Sequence, residues 1–293
     1  MTSPFVRRRR LATELRTLRE EKGMTAGRLS QLLHQSRMKV SRLENAHIRP
    51  DLAEIMKILD LLGVTGDKWN EVVRIARDAA ERGWWDSFGD AMGPRQRLYA
   101  DLESGASLVQ EYNQTAIPGV LQTPEFTWAL VELDRHDGPI RYVPERMAQA
   151  RLQRQRTVFH PDGPHYEVVL DECVMRRLTV CPAVLRAQLR HLVDTVSAEA
   201  RFTVRLLPID ARITAGLLPR SSFALYTFPD PEDPKMAVVD TATADLVHTD
   251  PGEVARFEGH YDRLLQASLS PADSLSSLGK LADRLADEEG AER

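Results

Sequence analysis

A chain of 293 residues, 28% charged and 42% hydrophobic, has the composition of a globular protein and the length for two domains. No apolar run approaches the roughly 18 to 20 residues that cross a bilayer. The basic opening MTSPFVRRRRLATEL lacks the apolar stretch of a signal peptide, so the expectation is a cytoplasmic protein with no membrane partner. The net charge of −4 is unevenly spread: residues 1–50 carry 12 Lys+Arg against 4 Asp+Glu, the remainder 27 against 39. A basic end on an acidic remainder is the footprint of local phosphate binding, and argues against nucleic-acid coating along the whole chain.

In chain order, a first helix is expected from about Arg8 to Lys22, with Leu11, Leu15 and Leu18 on one face and Gly23 ending it. Arg7 to Arg10 read either as an arm on DNA or as a solvated, frayed end. Thr25 caps a second helix whose stripe is Leu29, Leu32 and Leu33, and His34-Gln35 make a turn. Ser36 caps a third helix, with Val40 and Leu43 inward and Arg37, Met38, Lys39, Ser41 and Arg42 on its other faces. A thin buried stripe under a cationic, hydrogen-bonding surface suits a DNA major groove; it suits a helical hairpin with a solvated basic face as well. Glu44 is expected to pair with a neighbouring Arg and hold the motif together. Asp51 caps a fourth helix with Leu52, Ile55, Met56, Leu59 and Leu62 inward, and Asp67 a fifth with Trp69, Val72, Val73, Ala76 and Ala80. These five helices make an all-α domain over residues 1–82, whose own apolar stripes should let a fragment ending near Arg82 fold.

The run LREEKGMTAGRLSQLLHQSRMKVSRLENAHIRPDLAEIMKILDLLGV, above all Ser41–Asn45 (SRLEN) and Arg49-Pro50, resembles the Cro/phage-repressor type of helix-turn-helix, the xenobiotic-response-element regulators. The resemblance implies sequence-specific binding to double-stranded DNA, with Arg37, Met38 and Arg42 facing bases and Lys39, Ser41, Asn45 and Arg49 meeting phosphates. Because one recognition helix offers few base contacts, a homodimer on a palindromic site is expected. Three positions depart from the family pattern. Ala26 stands where a DNA-contacting Gln is common, and His34 and Ala46 replace glycines. The last two predict left-handed backbone at a cost of about 1 kcal/mol.

Gly83, Gly89, Gly93 and Pro94 mark a boundary, and Trp84-Trp85-Asp86 within it reads as an interdomain plug or a ligand-stacking element. Residues 83–269 read as a mixed α+β domain. Strands are expected at Ser107–Tyr112, Tyr166–Leu170, Phe202–Pro208, Ser222–Phe228, Met236–Asp240 and Leu246–His248. Helices are expected at Arg95–Leu102, Pro124–Leu133, Pro144–Thr157, Pro182–Ala198 and Pro251–Leu265. Residues 270–293 form a last helix, capped by Ser270, and a disordered EEGAER tail. The 3-4-3 seam of Leu275, Leu278, Ala282 and Leu285 serves packing on its own domain or dimerisation. The fold class is therefore α+β: an all-α five-helix helix-turn-helix domain followed by a mixed α+β domain.

The texts GWWDSFGDAM, YADLESGASLVQEYNQTAIPGVLQTPEF, VLDECVMRR, VRLLPIDARITAGL and VVDTATADLVHTDPGEV together resemble the C-terminal domain of unknown function that follows such units in actinobacterial regulators, antitoxin-like streptomycete ones among them. The resemblance implies a small protein partner encoded by an adjacent gene, and it transfers no catalytic residue.

The residues themselves point to little chemistry. Cys173 and Cys181 lack CxxC spacing and clustered histidines, and read as packing residues in a reducing compartment. No HExxH, GxSxG, GxxxxGK[ST] or GxGxxG pattern occurs. Asp171, Glu172 and Asp240 are the acids that strand ends would bring together, and His165, His191, His248 and His260 are scattered. No catalytic residue, metal or cofactor is expected. Glu111, Tyr112, Gln122 and Trp128 combine an acid, hydrogen-bonding groups and apolar walls, as a ligand pocket or a turn packed on the core requires. The expectation is a DNA-binding regulator, not an enzyme, whose C-terminal domain senses a small-molecule effector or holds a small protein partner. The alternative is a C-terminal enzyme acting on a small molecule, with DNA binding serving autoregulation.

Overall fold

The computed structural model describes residues 2–140, 142–177, 179–213, 218–241 and 245–291. The chain forms two compact units, neither continuous in sequence. The first comprises Met1–Ser87, Leu98–Ala106 and Phe228–Pro234; the second comprises Phe88–Arg97, Ser107–Thr227 and Lys235–Arg293.

Five helices build most of the first unit: α1 (Pro4–Glu21), α2 (Ala26–Leu33), α3 (Arg37–Glu44), α4 (Leu52–Leu61) and α5 (Gly66–Ala80). Their inward stripes meet in one core of Leu11, Leu15, Leu29, Leu33, Val40, Leu43, Ile55, Leu59, Val72 and Ile75 among others. Met56 instead lies on an exposed face. Gly23 and Gly63 take the positive φ that ends α1 and α4.

The arginine run departs from both sequence readings, the arm and the frayed end. Ser3 Oγ accepts the Val6 amide at 3.2 Å and Pro4 opens α1, so Arg7 to Arg10 lie inside the helix. Arg7 and Arg10 are buried. Arg7 meets Asp230 at 3.0 Å, Asp233 at 3.4 Å and Asp78 at 3.6 Å; Arg10 meets Glu71 at 2.7 Å and Asp230 at 2.8 Å. Guanidinium groups this enclosed are tolerable because carboxylates surround them. The segment Leu98–Ala106 is fixed to the start of α1 in the same way. Asp101 Oδ1 accepts Ser3 Oγ at 2.6 Å and the Phe5 amide at 3.0 Å, and Gly105 approaches Ser3 so closely that a Cβ would lie 2.3 Å from its amide nitrogen.

The second unit is built on a six-stranded sheet: β1 (Leu108–Asn113), β2 (His165–Asp171), β3 (Phe202–Leu207), β4 (Phe223–Thr227), β5 (Met236–Asp240) and β6 (Asp245–His248). The order is β3-β2-β1-β4-β5-β6, parallel across β1, β2 and β3 and antiparallel from β1 to β6. Parallel neighbours require crossovers. Here α7 (Pro124–Asp137) and α8 (Pro144–Val158) join β1 to β2, and α9 (Cys173–Arg176) and α10 (Pro182–Ala198) join β2 to β3. The helix α6 (Pro94–Gly105) precedes β1, and α11 (Pro251–Ala267) and α12 (Pro271–Ala291) follow β6. Tyr112, Val169, Phe223, Leu225, Ala237 and Val239 form one face of the sheet and pack with Val254, Tyr261 and Leu264 of α11.

All six expected strands are present, each within about two residues of its expected bounds. Two expectations fail. Asp171 and Asp240 do not meet, because β1 and β4 separate β2 from β5; Asp171 accepts Tyr112 Oη, and Asp240 pairs with Arg95. The seam of the C-terminal helix packs on its own domain, the first of the two uses expected: Ser274, Leu278, Ala282 and Leu285 are buried, and α12 packs on α10 and β3. It continues to Ala291 through most of the tail expected to be disordered, whose last two residues lie outside the described ones. In the boundary stretch Trp84–Met92 the backbone forms 3-10 turns, Trp85 is buried, and its ring meets Trp84 edge-on at 5.8 Å.

Candidate nucleic-acid interface

The turn between α2 and α3 is tight because His34 takes a left-handed conformation (φ 54°, ψ 39°), and Ser36 Oγ then caps α3 on the Lys39 amide at 3.2 Å. Ala46 takes the second left-handed position (φ 58°) just past α3. Both positive φ values fall where the missing glycines predicted them. The C-terminal end of α3 is held from α1. Arg19 forks onto buried Glu44, Nε to Oε1 at 2.6 Å and Nη2 to Oε2 at 2.9 Å, while Arg16 donates to the Glu44 carbonyl and, at 3.1 Å, to Asn45 Oδ1. Its hydrogen bond to the Glu44 carboxylate holds the Arg19 guanidinium above its ordinary pKa. Glu44 is thus structural, as its place at the helix end suggested.

This scaffold sorts the seven sequence candidates into two groups. Arg37, Met38 and Arg42 are exposed, Met38 by 71%, and no hydrogen bond or ion pair occupies them among the described residues. Lys39 pairs with Glu54 at 2.8 Å, and Arg49 with Asp86 at 3.0 Å. Asn45 Nδ2 donates to the Ser41 carbonyl at 2.7 Å and contacts Ser41 Oγ at 3.4 Å. The first three are ready for a new contact; the other four already serve the fold. Sequence reasoning overlooked Arg28 and Gln31, exposed on α2 beside the turn, although the spacing of Leu29 and Leu33 already puts both on the opposite face. It also overlooked Arg16, whose role depends on the position of α1.

The residues proposed for a ligand in the second unit divide as well. Glu111 and Tyr112 are neighbours on β1, so their side chains leave opposite faces of the sheet. Tyr112 is fully buried beside Phe223, and burial raises its phenol pKa. Glu111 instead accepts from Tyr166 Oη and from Asn113 Nδ2. Gln122 and Trp128 do come together, in an open groove of about 330 Å³ shared with Thr127, Arg151 and Leu152. Arg151 donates to Gln122 Oε1; burial, and then Arg154 beside it, pull its guanidinium down to about 10.

Two family models match the chain: a helix-turn-helix domain over residues 10–72, and a domain of unknown function, DUF5753, over residues 96–280. The chain belongs to the DUF5753 family. No curated protein and no solved structure matches it. The helix-turn-helix makes this DUF5753 protein a DNA-binding transcription regulator, and the two domains stand in the order that the resemblance implied. No helix among the described residues of the DUF5753 protein is long and apolar enough to cross a membrane.

Proposed function

We propose that this DUF5753 protein reads operator DNA with α3, its outer face entering the major groove. Arg37, Met38 and Arg42 touch base edges, while Lys39, Ser41, Asn45 and Arg49 approach phosphates. The supporting observation is the contrast on α3: three side chains stand exposed and unpartnered on a helix whose C-terminal end is clamped by Arg16 and Arg19. Such a surface fits a ligand of fixed shape, because the helix pays little to reorganise. Binding as a homodimer doubles the readout and sets half-sites about 34 to 36 Å apart. A selection of bound sites from random duplexes tests this reading. Arg37→Ala or Arg42→Ala should cost about 1–3 kcal/mol and relax preference at one position per half-site. Unchanged affinity on every site would overturn the groove assignment.

The second unit, in the same proposal, acts by binding: a small-molecule effector, or a small protein partner in the manner of an antitoxin. Its support is the groove at Gln122 and Trp128, which has apolar walls and a few polar groups. Binding shifts DNA affinity only if the occupant distinguishes two states of the regulator. Linkage then requires operator DNA to change the occupant's affinity by the same factor.

A further inference from the structure

The helix α11 carries Arg256, His260 and Arg263 at spacings of four and three, which places them along one face. All three line a cavity of about 490 Å³, whose rim also carries Arg220 and whose wall includes Phe223 and Phe257. Among the described residues no carboxylate lines this cavity, and no ion pair joins Arg220, Arg256 or Arg263 to an acid. Two of the three acids on the same helix are engaged elsewhere, Glu253 with His248 and Glu258 with Lys235 at 2.6 Å; the third, Asp262, is exposed and outside the cavity lining. Desolvation first, and then the positive charges of Arg263 and Arg256, push the His260 imidazole below its ordinary pKa.

We propose that this cavity is a binding site for a nucleotide carrying at least two phosphates. Guanidinium forks match phosphate oxygens in pairs, and the three arginines balance more than one negative charge. The aromatic wall, with Phe223 and Phe257 at 5.2 Å between ring centroids, supplies the apolar side on which a planar base rests. The volume falls within the range of small-molecule sites. The groove at Gln122 and Trp128 differs in kind, since Glu145 stands in its lining with Arg151.

Calorimetric titration of the full chain with the diphosphates of adenosine, guanosine, cytidine and uridine tests the site, with pyrophosphate and adenosine as partial ligands. At least one diphosphate should bind below about 1 mM, and each partial ligand about tenfold or more weaker. The Arg256→Ala/Arg263→Ala pair should lose at least about tenfold in affinity with an unchanged circular dichroism spectrum. Arg220→Ala, outside any helix or strand, should weaken binding in the same direction and keeps the test decisive if the double variant fails to fold. No binding by any diphosphate, or binding by Arg220→Ala and the double variant as tight as by the unaltered chain, overturns the site. The titration contains no DNA, so its failure leaves the operator reading intact.

Discussion

Arg19 and Glu44 lie 25 positions apart, both buried, and their forked contact joins the first helix to the third. Breaking one half of such a pair strands the other charge in the core. Glu44→Ala should cost about 3–5 kcal/mol in urea unfolding, whereas Arg19→Met with Glu44→Leu should recover most of it. A loss below about 1 kcal/mol would mean that the pair behaves as a surface one. Asp101 makes a second test. Burial raises its pKa, although bonds from Ser3 and Phe5 and the charge of Arg8 pull the other way. With the folded value above the unfolded one, the folded state holds the extra proton. Stability is therefore highest below about pH 4 as far as this group is concerned, and falls as pH rises toward the folded value. Asp101→Asn should flatten that fall; an identical slope in both proteins would remove Asp101 from the titration. At this scale the sequence was only partly legible. Glu44 at a helix end beside arginines announced its role. Arg7 and Arg10 did not, because Asp230 and Asp233 lie more than two hundred positions away. The split between Glu111 and Tyr112 was legible, since strand alternation separates any two neighbours.

Helix ends carry most of the information at the next scale. Ser36 caps α3 where Arg37 and Met38 begin it, so Ser36→Ala should cost about 1 kcal/mol and fray the turn that presents both residues. DNA affinity should fall with it; full affinity at reduced stability would detach the cap from recognition. His34 and Ala46 hold conformations that glycine adopts freely, so His34→Gly should raise unfolding free energy by about 0.5–1 kcal/mol. Destabilisation instead would show that the imidazole makes a contact outweighing the strain. The strands were legible from short β-branched and aromatic runs, and α7, α8, α10 and α11 from a proline at the first helical turn. The start of α1 carried the same signal in Ser3-Pro4, overridden by reading four arginines as solvent-loving. The one-turn helix α9 offered no period to detect.

The whole chain folds as two units that exchange segments, which no local pattern announces. Five apolar stripes suggested that a fragment ending near Arg82 would stand alone. Such a fragment lacks Asp101, Asp230 and Asp233, leaving Ser3 without its partner and Arg7 and Arg10 with only Asp78 and Glu71. It should unfold at markedly lower urea than the full chain, with about 3–5 kcal/mol lost for stranded buried charge. A fragment matching the first unwinding transition of the intact protein would show those carboxylates to be dispensable. The threading also bears on biosynthesis. A ribosome releases the reading helix early, but two of the four acids that settle Arg7 and Arg10, Asp230 and Asp233, emerge only after β4 has been made. Domains ordinarily finish folding in the order they are translated. Here the DNA-binding part should be among the last to mature, so a stalled or prematurely ended chain is expected to expose an unfinished reader that cannot compete with complete regulators for their operators.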